Sequence, residues 1–160
     1  MDFGAAGRVV VGAIGEPGNR IFLIQVVVDG RSRWYVLEKS QVAALAIEAQ
    51  GLLVTIEFEG GAGAESAGQL EPPDEVEFRV TEMHLGYSEA SGMVTLLVAG
   101  GESDEQHEYA ITPRQLEALV ELGSVAVAAG RPACPKCGLA MDPDGHICPT
   151  SNGDLRHHRP

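Results

Sequence analysis

The stretch LEKSQVAAL, residues 37–45, takes a predicted strand directly into a predicted helix, because the apolar period lengthens after Leu37 from two residues to three or four. The stretch ITPRQLEAL, residues 111–119, does the same, with Thr112 as a helix N-cap and Pro113 at the first helical position. At a constant offset of 74, the matched residues are Leu37 with Ile111, Gln41 with Gln115, Val42 with Leu116, and Leu45 with Leu119. This unit occurs twice either by duplication or by chance among common helical patterns.

The two halves of the chain have the same predicted element order, which is strand, strand, short strand and helix. Alternating or β-branched runs bounded by Gly, Pro, Asn and Asp mark the strands. A duplicated βββα unit predicts an α+β fold, with an antiparallel sheet or a small barrel and two packed helices. A C-terminal zinc knuckle follows the second helix.

The predicted division of the chain follows from these elements. Residues 1–58 form the first repeat and end in a short strand at 54–58, and residues 75–130 form the second repeat. Residues 59–74 are rich in Gly, Ala, Glu, Ser and Pro and have almost nothing to bury, which predicts a flexible acidic linker. Residues 131–160 contain the zinc knuckle and a tail.

The zinc prediction rests on the cysteines, all three of which lie between residues 134 and 148 with one histidine among them. Their spacing is C-x2-C, eight residues, then H-x-C. Zn²⁺ prefers four tetrahedral nitrogen and sulfur ligands, and Cys3His is one of its standard structural sets. The predicted ligands are Cys134, Cys137, His146 and Cys148, and the predicted cofactor is zinc.

Two other uses of these cysteines are less consistent with the sequence. A redox C-x-x-C site needs a helix after its first cysteine, which Pro135 and Gly138 disfavour. A disulfide framework leaves one of three cysteines unpaired. Four protein ligands close the zinc shell and predict a structural site, but a site in which His146 turns outward leaves room for Asp142, Asp144 or water and permits hydrolysis.

Composition narrows the class of partner. The formal net charge of −12 repels phosphate backbones, which makes nucleic-acid binding unlikely. No apolar run approaches the roughly 20 residues of a membrane span, and the first residues lack the pattern of a signal peptide. A cytoplasmic protein is therefore predicted.

Two functions follow as hypotheses. The first is a non-enzymatic adaptor or regulatory module that binds another protein through a sheet edge or a helix face, and it predicts an exposed apolar patch. The second is a zinc-containing hydrolase or metabolite-processing enzyme with a site between the repeats. Its pocket would bring together the basic residues Arg8, Arg20, Arg33 or Lys39 with His84 or His107. We favour the non-enzymatic hypothesis, because solvated or hydrogen-bonded strand histidines are far commoner than catalytic ones.

The chain also resembles a family of uncharacterised proteins from actinobacteria and related bacteria. The resemblance lies in residues 11–20, VGAIGEPGNR, in residues 37–42, LEKSQV, and most specifically in residues 128–138, AAGRPACPKCG, continuing through DPDGHICP at 142–149 to Asn152 and Gly153. Members of that family tend to place an aromatic residue after this Asn-Gly pair, whereas Asp154 stands here. The resemblance implies a cytoplasmic bacterial protein and no particular activity.

Overall fold

The computed structural model of the protein describes residues 1–16, 18–61 and 63–129. In this part of the chain, seven strands and three helices occur. The strands are β1 (Asp2–Ala5), β2 (Arg8–Ile14), β3 (Ile21–Val28), β4 (Arg31–Leu37), β5 (Val76–Ser88), β6 (Met93–Gly100) and β7 (Glu105–Ile111). The helices are α1 (Lys39–Thr55), α2 (Gly63–Ala67) and α3 (Pro113–Ala128). The predicted α+β class is confirmed.

The strands form one mixed sheet in the order β1-β7-β6-β5-β4-β3-β2. Strands β2, β3 and β4 pair antiparallel in chain order, and so do β5, β6 and β7. The pairs β4–β5 and β1–β7 are parallel, so the expectation of a purely antiparallel sheet is wrong. Helix α1 and the segment after it return the chain from the end of β4 to the start of β5, and such a crossover places two strands side by side in the same direction.

The two edge strands of the sheet are joined by one short piece of chain. Strands β1 and β2 are at opposite edges of the sheet, but only Ala6 and Gly7 separate them. The Ala6 N–H donates to the Ala110 carbonyl of β7, and the Gly7 N–H donates to the Val27 carbonyl of β3, each at 2.8 Å. The sheet is therefore open in its pairing, not a barrel closed by strand pairing, yet it curls until its edges meet at this dipeptide.

The two long helices begin in the same way. The Gln41 side chain accepts from the Glu38 N–H at the start of α1 and donates to the Val80 carbonyl at 2.9 Å. The Gln115 side chain accepts from the Thr112 N–H at the start of α3 and donates to the Ala6 carbonyl at 2.9 Å. Each glutamine therefore accepts from the backbone N–H of its N-cap residue and also fastens its helix to the other half of the chain.

The two parallel pairings share one register. Trp34 pairs with Val76, and Glu108 pairs with Asp2. Val36 pairs with Arg79, and Ala110 pairs with Ala5. In these two sets of pairs each residue is offset by 74 from its counterpart, which is also the sequence separation of Tyr35 and Tyr109. The internal duplication itself stays a prediction.

The main core lies between one face of the sheet and the two long helices. Val9, Ile24 and Leu96 are among its buried strand residues, and Val42 and Leu119 are among its buried helix residues. Gly123 of α3 is a point of close helix approach, because a Cβ there would lie 3.5 Å from Val42 and 3.6 Å from Ala46 of α1. Gly123 and Val42 come from opposite ends of their helices, which therefore pack antiparallel.

Residues 59–74 have more contacts than their composition predicts. Ala67 of α2 is buried against Val10 and Ala118, and Leu70 packs beside them. Arg8 donates to the Ala67 and Gln69 carbonyls, at 3.0 and 3.1 Å. Strand side chains therefore bind the backbone of Ala67 and Gln69 as well as the few apolar groups near them, and the division of the chain into two repeats, a linker at 59–74 and a zinc knuckle stays a prediction.

The predicted short strand at 54–58 is also wrong. Helix α1 continues to Thr55, where the Thr55 hydroxyl donates to the Gly51 carbonyl at 2.9 Å. Glu57 then takes a left-handed conformation, with φ of 56°, and the chain turns back. A short apolar run after a helix does not distinguish a new strand from one more turn of the same helix.

Candidate functional site

A buried polar cluster lies where the two halves of the sheet meet. Tyr35 of β4 and Tyr109 of β7 are each 0% exposed, and His107 of β7 is 5% exposed. The Tyr35 hydroxyl lies 2.7 Å from Nδ1 of His107 and is also hydrogen-bonded to the Tyr109 hydroxyl. On the far side of the ring, His107 Nε2 lies 3.3 Å from a Glu105 carboxylate oxygen. We call Glu105, His107, Tyr35 and Tyr109 the Tyr–His chain.

One direction of donation satisfies every polar hydrogen in the Tyr–His chain. With its proton on Nε2, His107 donates to Glu105 and accepts at Nδ1 from the Tyr35 hydroxyl. Tyr35 in turn accepts from the Tyr109 hydroxyl. The Arg33 guanidinium, which has donors only, faces Tyr109. The opposite direction would aim the lone pair of Nε2 at a carboxylate and leave the Tyr109 proton without an acceptor in the chain.

The surroundings of the Tyr–His chain keep the hydroxyls of Tyr35 and Tyr109 neutral. Burial is the largest cause that raises the pKa of Tyr35. Burial also raises the pKa of Tyr109. Neither hydroxyl is therefore a phenolate near neutral pH.

Aromatic rings and one arginine enclose the Tyr–His chain. The Phe3 ring stacks on Tyr109 at 5.2 Å between centroids, and Phe78 meets His107 edge-on at 4.9 Å. The Arg33 guanidinium carbon lies 3.9 Å from the centre of the Phe3 ring, which places a cation over the aromatic face.

The arginines that the enzyme hypothesis brings into one pocket make their contacts in different parts of the structure. Only Arg33 reaches the neighbourhood of His107. Arg8 forms an ion pair with Glu71 at 2.9 Å, and Arg20 donates to the Ala126 carbonyl at 3.4 Å. His84 lies exposed on β5, 3.8 Å from Glu82. The structure therefore brings together one of the predicted arginines and one of the predicted histidines, around a filled interior.

An open acidic depression lies on the other face of β4. It has a volume of about 770 Å³, and Trp34, Arg31, Glu71 and Glu77 are among its lining residues. Glu71 is already engaged, because it accepts from Gln25 at 2.7 Å and from Arg8 at 2.9 Å. These contacts, the Gln25 hydrogen bond foremost, lower the pKa of Glu71. The depression is thus a place where side chains tie residues 69–71 to the sheet.

The solvent face of α1 is unusually apolar for a surface helix. Ile47 is 73% exposed and Val54 is 66% exposed, and Ala44 and Gly51 lie exposed between and before them at helical spacing. Glu48 is the one charged residue of α1 after Lys39. We call Ala44, Ile47, Gly51 and Val54 the α1 stripe.

A shallow groove runs beside this stripe between α1 and α3. Its volume is about 180 Å³, and its apolar lining residues are Leu53, Val54, Phe58 and Val120. Its charged lining residues are Glu57, Glu117 and Glu121. We call this feature the α1–α3 groove.

The four predicted zinc ligands, Cys134, Cys137, His146 and Cys148, lie outside the described residues. Within residues 1–16, 18–61 and 63–129, no group of three or more His, Cys, Asp or Glu side chains is arranged to hold a metal ion. In the same part of the chain, no helix is both long enough and apolar enough to cross a membrane.

Comparison with known proteins places the chain in a family. A family model described as a protein of unknown function, DUF3090, matches residues 1–148. The chain belongs to the DUF3090 family. The matched region of this DUF3090 protein contains the sheet, all three helices and the positions of the four predicted zinc ligands. We found no match among curated proteins or among solved structures.

Sequence reasoning missed two of these features. Neither Tyr35 nor Tyr109 was among the predicted site residues, although the two have the same offset of 74 as the matched helix starts. That offset was the available signal for their meeting. The sequence showed that α1 has few charged residues, but spacing alone does not tell which of its apolar residues stay exposed.

Proposed function

We propose that this DUF3090 protein is a non-enzymatic, zinc-stabilised adaptor or regulatory module of the bacterial cytoplasm that binds another protein through the outer face of α1. The observation that supports it is the exposure of Ile47 and Val54 on one helix face. Burying an aliphatic side chain of this size stabilises a complex by about 1.5–3 kcal/mol. Two such residues, about two helical turns apart, supply the apolar centre that a protein interface needs.

The proposed zinc site is structural. Cys134, Cys137, His146 and Cys148 form a Cys3His set, and four protein ligands leave no coordination position for a reacting water. In this proposal the metal stabilises the segment after α3, since structural zinc contributes its binding free energy to folding. The α1 surface then provides recognition.

We also propose that the two βββα units arose by duplication. Equal registers at the two parallel pairings and equal roles of Gln41 and Gln115 support this, because chance resemblance between helices does not extend to strand register. In each unit the helix is fastened to the other unit, so the halves form one interdependent body.

A second candidate function is a zinc-containing hydrolase or metabolite-processing enzyme with its site between the repeats. The meeting of Arg33 and His107 around Phe3 favours it. It predicts that the zinc-loaded protein hydrolyses an activated phosphate or carboxylate ester and that His107→Gln removes the activity. An equal rate in both proteins would exclude this site.

The adaptor proposal is tested by complex size in extracts of cells that naturally make the protein. The wild type should elute from a sizing column well ahead of its own purified monomer. The variant with Ile47→Gln and Val54→Gln should elute as the free chain, and Ile21→Gln, a control at another exposed isoleucine, should behave as the wild type. Elution of the double variant with the wild type would refute the α1 surface as the contact.

A further inference from the structure

We infer that the partner segment is a basic amphipathic helix, which lies along the α1 stripe with its cationic residues over the α1–α3 groove. This inference rests on the proposed function and adds the chemistry of the partner. The evidence is the shape of the stripe and the sign of the charge beside it.

The α1 stripe has the form of a helix-packing seam. Its members are spaced three, four and three residues apart, which keeps them on one face of the helix. Two small residues, Ala44 and Gly51, alternate with two larger ones, Ile47 and Val54. Small positions let another helix backbone approach, and the larger side chains fill the spaces between its residues.

The charge beside the stripe is negative. Glu57, Glu117 and Glu121 line the α1–α3 groove, and Glu48 stands exposed on α1. Glu117 accepts from the Gly61 N–H at 2.9 Å, and Glu121 accepts from the Ala64 N–H at 3.0 Å. Both partners are neutral amides, so these bonds fix the carboxylates in place without cancelling their charge.

Among the described residues that line this groove there is no Lys or Arg, and the Arg114 guanidinium donates to the Gly61 carbonyl at 3.3 Å. The lining is therefore acidic, as is the chain as a whole with its net charge of −12. An acidic or neutral helix would meet repulsion or no attraction here, whereas Lys or Arg residues flanking an apolar face would meet opposite charge.

The inference is tested with model peptides and the full chain. The probe is a fluorescein-labelled 14-residue helix with Leu and Ala on one face and Lys on the other. A second peptide replaces every Lys by Glu, and a third has the Lys composition in scrambled order. Fluorescence anisotropy gives the affinities, and amide chemical-shift changes locate the bound peptide.

We expect the Lys helix to bind and to shift the amides of α1, and the Glu and scrambled peptides to bind at least tenfold more weakly. Ile47→Gln with Val54→Gln should weaken the Lys helix by about tenfold or more, since 1.4 kcal/mol is a factor of ten. Glu57→Gln should weaken it by about two- to fivefold, which is typical of an exposed ion pair. Ile21→Gln and Glu89→Gln are the matched controls and should leave binding unchanged.

Three results would overturn the inference: equal binding of the Lys and Glu helices, shifts away from α1, or concentration-dependent dimers of the wild type that Ile47→Gln abolishes. The last would make a second copy the occupant. If the peptides fail while the complex in cell extracts still depends on Ile47 and Val54, the partner chemistry is wrong and the adaptor function stands. If that complex is also insensitive, the proposed function fails.

Discussion

The direction of hydrogen bonding in the Tyr–His chain predicts that its two tyrosines differ in their contribution to stability. Replacing Tyr35 by Phe keeps the ring but removes a hydroxyl with two partners. His107 Nδ1 then loses its donor, and the Tyr109 hydroxyl loses its acceptor. Each unsatisfied buried group costs about 1–3 kcal/mol, so the two groups left by Tyr35→Phe should lower the free energy of unfolding by about 2–6 kcal/mol.

Replacing Tyr109 by Phe has a smaller expected effect. Tyr35 keeps its donation to His107 and loses only an incoming hydrogen bond, and Arg33 remains half-buried and within reach of water. The expected loss is about 1 kcal/mol. For a chain of this length, each kcal/mol lowers Tm by about 2–4 °C, so the two variants should be distinguishable by thermal unfolding.

The double variant, Tyr35→Phe with Tyr109→Phe, shows whether the Tyr–His chain acts as a unit. It should be at least as stable as Tyr35→Phe alone, because the Tyr109 hydroxyl left without an acceptor is now absent. Urea unfolding of the four proteins gives the coupling energy directly, provided that the m-values agree. The proposed direction of donation is refuted if Tyr109→Phe is as destabilising as Tyr35→Phe, or if the two losses simply add.

Three further predictions concern other parts of the chain. Gln41→Ala and Gln115→Ala should lower stability by similar amounts, about 1–2 kcal/mol each in urea, because each removes a capping bond and a bond to the other half; a twofold difference would contradict their equivalent roles. The pKa of Glu71 is lowered by Gln25 and Arg8, so its contribution is present above its unfolded value of 4.5 and is lost as pH falls through the folded pKa. Glu71→Gln should therefore flatten the acid limb of Tm against pH, and an unchanged limb would exclude that contribution. Cys148→Ser should lose zinc, measured by elemental analysis of untagged protein, together with thermal stability; full retention of zinc in a folded variant would mean a different ligand set.

The sequence was informative where a local pattern determines a local structure. The change of period after Leu37, and Thr112 with Pro113, correctly predicted where two helices begin, because capping and amphipathicity are contained in adjacent residues. The equal spacing of Gln41 and Gln115 also pointed to a shared role, and both glutamines make the same pair of contacts.

Other features depend on contacts between distant residues, which spacing does not encode. The parallel junctions follow from where the crossovers return the chain. The contacts of Ala67 and Glu71 with the sheet depend on Arg8, Gln25 and Trp34, which lie far away in sequence and bind backbone groups that every residue has. The candidate surface on α1 depends on which apolar residues the sheet leaves uncovered, which is decided only when the helices pack.

Photo-cross-linking in the cells that make the protein tests most directly whether α1 presents the binding surface. An aryl-azide or benzophenone residue is placed at Ile47 or, as a control, at Glu89. We expect a discrete adduct with another protein from position 47, which disappears when Val54 is replaced by Gln, and no such adduct from position 89. Equal labelling from both positions, or no adduct from position 47, would contradict the claim that α1 presents the binding surface.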